Sequence, residues 1–146
     1  MKFSQHYLGY TEKTLIVVTN NEVAKLYGAF DRDVEEVKTL EFEFEAPEAR
    51  ASGTPNSAPP DLDELKKHNR HELYASLSRA LKSQIKKGYK DILLCVPEAY
   101  KNEIVDAMHT DVMKAVIEVV PKNLASLQLD QIIRILQEKK PTTQTS

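Results

Sequence analysis

The chain has 146 residues, 41% of them hydrophobic and 29% charged, which suits one soluble domain with a real core. Its formal net charge of −2 excludes a global attraction to nucleic acid and leaves that role to a local patch. The single cysteine excludes an intrachain disulfide and a Cys-rich zinc site, and no stretch reaches the roughly 18 apolar residues of a membrane span.

Residues 1–10 hold no continuous apolar run and no small-residue cleavage site, so the expectation is a cytoplasmic protein without a membrane segment. Thr14 to Thr19 is a β-branched run, suited to a strand buried on both faces. Asn20 and Asn21 predict a tight turn, and Val23 to Gly28 the return strand of a hairpin. After a turn at Asp31 to Asp33, the segment from Val37 to Glu45 alternates Leu40, Phe42 and Phe44 with Glu41, Glu43 and Glu45. That period of two predicts a third, antiparallel strand with an acidic wet face.

From Ala46 to Asp61, Pro47, Gly53, Pro55, Pro59 and Pro60 predict a long flexible loop. A long helix follows, starting near Leu62 or near Arg70, striped by Leu73, Leu77, Leu81 and Ile85 and capped by Gly88. Asp91 to Val96 reads as a buried strand that includes Cys95, and Pro97 opens a helix carrying Tyr100, Ile104 and Met108 inward. Ala115 to Val120 predicts a fifth strand, and Leu129, Ile132, Ile133 and Leu136 stripe a final helix. The predicted order is β-β-β-α-β-α-β-α, an α/β fold with a mixed five-stranded sheet. One domain over residues 1–139, with a flexible loop at 46–61 and a polar tail at 140–146, completes the expectation.

This layout resembles the central domain of archaeal and eukaryotic class I release factors, and more closely the bacterial branch of that superfamily, often labelled host-attachment protein. The matching segments are Leu15 to Tyr27 (LIVVTNNEVAKLY), His71 to Leu81 (HELYASLSRAL), Ile92 to Tyr100 (ILLCVPEAY) and Val119 to Leu127 (VVPKNLASL). The resemblance extends over roughly residues 12 to 138. The resemblance implies a ribonuclease H-like, release-factor central-domain-like fold and a connection with the ribosome. In true release factors the loop after the third strand carries Gly-Gly-Gln, which promotes ester hydrolysis. Here the corresponding residues 49–57 read ARASGTPNS, with Gly53 alone and no glutamine between Gln5 and Gln84. Peptidyl-tRNA hydrolysis is therefore not carried over.

Charge is segregated along the chain. Asp31, Asp33, Glu35, Glu36, Glu41, Glu43, Glu45 and Glu48 fall in one stretch; Lys66, Lys67, Arg70, Arg79, Lys82, Lys86, Lys87 and Lys90 fall in another that holds Glu72 as its acid. At about 100° per residue, Arg79, Lys82 and Lys86 lie opposite the Leu73/Leu77 stripe. The functional reading is a phosphate-tracking surface of Lys66, Lys67, Arg70, Arg79, Lys82, Lys86 and Lys87, with Arg50, Ser52, Gly53 and Asn56 as loop contacts. The plain reading is a solvated face whose last lysines complement the helix dipole.

His68 and His71 share a helix face, but no third metal ligand is evident, and His71 suits a capping or packing role at the helix start. Glu41, Glu43 and Glu45, at about 7 Å intervals, read as an edge-strand guard rather than a carboxylate site. Tyr27, Phe30, Phe42, Phe44 and Tyr74 read as core or near-core packing. The sequence thus points to a non-enzymatic module, without cofactor or metal, that binds ribosomal RNA or tRNA. The alternatives are a protein-interaction module, contacting a partner through the acidic strand 41–45 with an indirect role in host attachment, and a residual hydrolase.

Overall fold

The protein is described from a computed structural model that places residues 1–41 and 62–138. Its strands are β1 (Tyr10–Thr19), β2 (Val23–Asp31), β3 (Asp33–Glu41), β4 (Asp91–Cys95) and β5 (Val116–Val120). Its helices are α1 (Leu62–Lys86), α2 (Lys101–Ala107), α3 (Thr110–Ala115) and α4 (Leu129–Glu138), with a 3-10 turn at Glu98–Tyr100. The sheet order is β3-β2-β1-β4-β5. β1 runs antiparallel to β2 and parallel to β4, and β5 is parallel to β4. The mixed five-stranded α/β sheet expected from the sequence is the one observed.

β1 is apolar because it lies mid-sheet with both faces covered. Successive side chains point to opposite faces. Leu15 and Val17 therefore enter a cluster with Leu26, Leu77, Leu81 and Leu94, while Ile16 and Val18 enter a second one with Cys95, Ile132 and Ile133. Helices α1, α2 and α3 supply the first cluster and α4 the second.

Several boundaries differ from the expectation for physical reasons. Asp31 adopts a left-handed φ of 52°, so the chain reverses tightly and β3 starts at Asp33, before the predicted Val37. Val34 then packs in the same cluster as Ala29, its partner across the hairpin. Phe42 to Glu45 lie outside the described residues. α1 runs through Asn69 without a break from Leu62, and Gly88 follows it at φ 113°, donating to the Ile85 carbonyl. The sequence reading omitted α3, whose N-cap is His109: its ring Nδ1 accepts the Asp111 N–H at 3.0 Å. The His109 N–H donates to Ser78 Oγ at 2.9 Å, pinning the start of α3 to α1. Ala115 closes that helix instead of opening β5.

Both edges of the sheet are modified. Residues 1–3 lie along the start of β3, with Phe3 donating to the Arg32 carbonyl and Val34 to the Met1 carbonyl. Buried Phe3 stands edge-on to Tyr10 at 6.0 Å. On the far edge, Ile92 faces Val116 while Leu93 faces Glu118, so Ile117 forms a bulge. It is 59% exposed, and such a kink blunts edge-to-edge pairing.

Two polar contacts fix α1 to its surroundings. The buried Tyr74 hydroxyl donates to Asn21 Oδ1 at 2.8 Å, in the β1–β2 turn. Arg70 forks onto Glu103 of α2, with Nε to Oε2 at 2.8 Å and Nη2 to Oε1 at 3.2 Å, and its guanidinium lies 5.0 Å from the Tyr100 ring. The Arg70 hydrogen bond holds the Glu103 carboxyl below its usual range, although partial burial opposes it.

These contacts and the apolar side of α1 generate stability predictions for three substitutions. Leu77→Ala, which opens a cavity at a fully buried position, should cost about 2–5 kcal/mol. Tyr74→Phe should cost only about 0.5–1.5 kcal/mol, since one hydrogen bond is lost and Asn21 can turn to water; denaturant titration of both variants checks the ranking. Glu103→Gln should cost about 1 kcal/mol at neutral pH. Because the folded carboxyl titrates lower than the unfolded one, the pair's contribution is complete above about pH 4.3 and fades as pH falls through the folded value. Melting curves of the two proteins should therefore converge in acid, and a constant gap would contradict the assignment.

Candidate nucleic-acid interface

α1 has a buried side formed by Leu73, Tyr74, Leu77, Ala80, Leu81 and Gln84. Arg79, Ser83 and Lys86 are exposed opposite it, Lys87 is exposed in the turn just after the helix, and Lys82 is half-buried at the flank rather than on the crest. Lys66 and Lys67 are exposed near the helix start. Among the described residues Arg79 donates to no carboxylate; its Nη2 donates to Ser76 Oγ at 3.1 Å. Among the described residues, Arg79, Lys82, Lys86 and Lys87 make no ion pair.

The basic face is consequently two clusters, not one ridge. Lys66 and Lys67 form the first; Arg79, Lys82, Lys86 and Lys87 form the second, and their nearest members, Lys67 and Arg79, are about 18 Å apart along the axis at 1.5 Å per residue. Between them stand His71, Glu72, Ala75 and Ser76. Arg70, predicted as part of the phosphate surface, is committed to Glu103 and its side chain is only 17% exposed. Its charge and the charge of Glu103 cancel where an anion would have to approach. Asp63 and Glu64 in the first turn and Lys86 in the last complement the helix dipole, so part of this charge pattern also stabilises the helix.

A shallow cleft of about 420 Å³ lies beside the gap, lined by His71, Ala75, Glu103, Asp106 and Ala107. His71 is mid-helix, not a cap: its Nε2 is 3.9 Å from Glu103 Oε2. His68 Nε2 stands 4.0 Å from Glu72 Oε1, one helical turn away. No group of three metal-ligating side chains occurs among the described residues. The predicted loop contacts Arg50, Ser52, Gly53 and Asn56 lie outside the described residues, as does most of the acidic stretch 41–45. Glu41 is exposed at the end of β3, opposite Val23. No helix among the described residues is long and apolar enough to cross a membrane.

The sequence could not reveal that Arg70 is paired, since a paired and a solvated arginine look alike in a charge count. Nor did it single out Glu103, which is half-buried on a short helix; the spacing of Arg70 and Glu103 gives no local sign of contact.

No curated protein sequence matches this chain. Among solved structures, Saccharomyces cerevisiae Dom34 is similar with a TM-score of 0.51 and 14% identity, over 89% of this chain and 34% of that one. Dom34 is described as a translation termination-like factor involved in RNA quality control pathways and interacting with Hbs1. The archaeal translation termination factor aRF1 aligns at a TM-score of 0.49 and 15% identity, over 87% of this chain and 39% of that one. The chain spans between a third and two fifths of the length of these factors. Residues 13–136 match the family profile of bacterial archaeo-eukaryotic release factors, family 12, which takes in all five strands but the first residues of β1. With that match and the release-factor domain fold in agreement, the chain belongs to bacterial archaeo-eukaryotic release factor family 12.

Proposed function

We propose that this domain is a non-enzymatic module of the translation machinery that docks on ribosomal RNA or tRNA through the outer face of α1. The observation that carries the reading is the cluster Arg79, Lys82, Lys86 and Lys87, without ion-pair partners among the described residues, in a chain of net charge −2. Cations held on one rigid helix track a phosphate backbone without reading bases. Lys66 and Lys67 form a second contact about 18 Å along the helix. Arg50, Ser52, Gly53 and Asn56 belong to the proposed surface as loop contacts between β3 and α1. Family membership supports a translation setting, and so does the description of Dom34 as a translation termination-like factor.

The absence of chemistry in this proposal rests on the sequence. None of the four glycines adjoins another, and no glutamine lies between Gln5 and Gln84, so the segment after β3 cannot present Gly-Gly-Gln. No cofactor enters the proposed role.

Co-sedimentation with purified ribosomes across a salt series tests it, with Arg79→Glu/Lys86→Glu alongside. The variant changes two exposed positions, so its fold should persist. Its affinity should fall and its log–log salt slope should flatten by about one per lost phosphate contact. Absence of wild-type binding at low salt, or unchanged binding by the folded variant, would overturn the reading and leave a protein partner for this domain.

A further inference from the structure

The sheet is not evenly covered. β1, β2 and β3 are nine or ten residues long, whereas β4 and β5 have five each, so the meander overhangs the parallel half. On the α4 face, Phe3, Tyr7 and Tyr10 cover the overhang. On the α1 face the helix ends at Lys86, and from the turn beyond it Tyr89 reaches over the corner. A Cβ placed on Gly28 would collide with the Tyr89 hydroxyl, so glycine is what allows the tip of this side chain to approach β2.

The remaining corner is an open groove of about 320 Å³, lined by Lys13, Gly28, Phe30, Asp33, Glu35 and Tyr89. Phe30, expected as near-core packing, is 57% exposed here, because its strand continues beyond the end of α1. Val37, at the β3 bulge beside Gly28, is another of the exposed large apolar side chains. The walls carry opposite charge. Lys13 sits 4.6 Å from the Tyr89 ring centre and donates to the Lys87 carbonyl at 3.4 Å, yet meets no carboxylate among the described residues. On the other wall Glu35 has no cationic partner among the described residues, and Asp33 has only the exposed Lys2 at 3.5 Å.

We infer that this corner is the contact surface for a second copy of the chain, joined about a two-fold axis running along the groove. Such an axis places the positive wall of each copy over the negative wall of the other, so Lys13 meets the acidic side twice. The two Phe30 rings then leave water together at the centre, where buried aromatic anchors contribute most to association. An apolar centre between charged walls makes the contact weaken as salt rises. Two other surfaces among the described residues lack this self-complementarity: the β5 edge is kinked at Ile117, and the exposed cluster of Arg79, Lys86 and Lys87 is of one sign and repels itself.

Sedimentation velocity over a range of protein concentrations tests the inference on the full chain. The wild type should pass from monomer to dimer, with an association constant that declines between about 0.05 and 0.5 M salt. Phe30→Asp, at an exposed position that leaves the core intact, should weaken the dimer at least about tenfold. Lys13→Glu and Glu35→Lys should each dissociate alone but form a dimer when mixed, because the two altered walls are then complementary. A wild type that stays monomeric throughout would overturn the inference. So would a dimer that Phe30→Asp leaves unchanged, or an open-ended series of larger species, which a two-fold contact cannot produce. Circular dichroism confirms that each variant is folded, and if Lys13→Glu is not, the Phe30 variant alone decides.

Discussion

Everything in this fold depends on β1 burying both of its faces at once. Leu15 and Val17 belong to one core and Ile16 and Val18 to the other, and none of the four has any solvent exposure. A strand in that position cannot alternate apolar and polar residues, so its composition commits the chain to helices on both sides of the sheet. α1 answers on one side and α4 on the other. The charge that faces outward on α1 is held in place because Leu73, Leu77 and Leu81 lock the opposite side of the helix into the core.

How much of this could be read from residues alone follows from the period of each element. The runs Thr14 to Thr19 and Asp91 to Val96 are short continuous apolar segments, the stripe from Leu73 to Ile85 recurs every four residues, and each appears where expected. α3 was invisible because six residues do not complete two helical turns, and Ala115 to Val120, rich in valine and isoleucine, reads as one strand. Phe30 was misread for a tertiary reason: its strand has the right alternation, but the helix that would cover it stops short. Within the candidate site, the exposed cations were legible, whereas the neutralisation of Arg70 by Glu103 joins residues 33 positions apart and leaves no local pattern.

Charge does more than one job along α1. Acids in the first turn and lysine in the last stabilise the helix itself, and Arg70 braces it against α2 through a forked ion pair. The cations left over, not the total, define what the face offers to a polyanion. That distinction divides the seven basic residues of the expected surface into two clusters, with the paired Arg70 and the acid Glu72 between them.

The parallel pairing of β1 with β4 also dictates a sequence of events during folding. Thr14 of β1 faces Asp91 of β4, so the central strand must wait for a partner far along the chain, after α1 has been made. The β1–β2–β3 meander, by contrast, closes through neighbouring turns and can assemble as soon as it is synthesised. Until β4 arrives, one side of β1 stands as an open apolar edge, the kind of surface that misassembles or attracts chaperones. The order of elements that defines this fold therefore gives the nascent chain a period of exposure that ends only when its fourth strand is added.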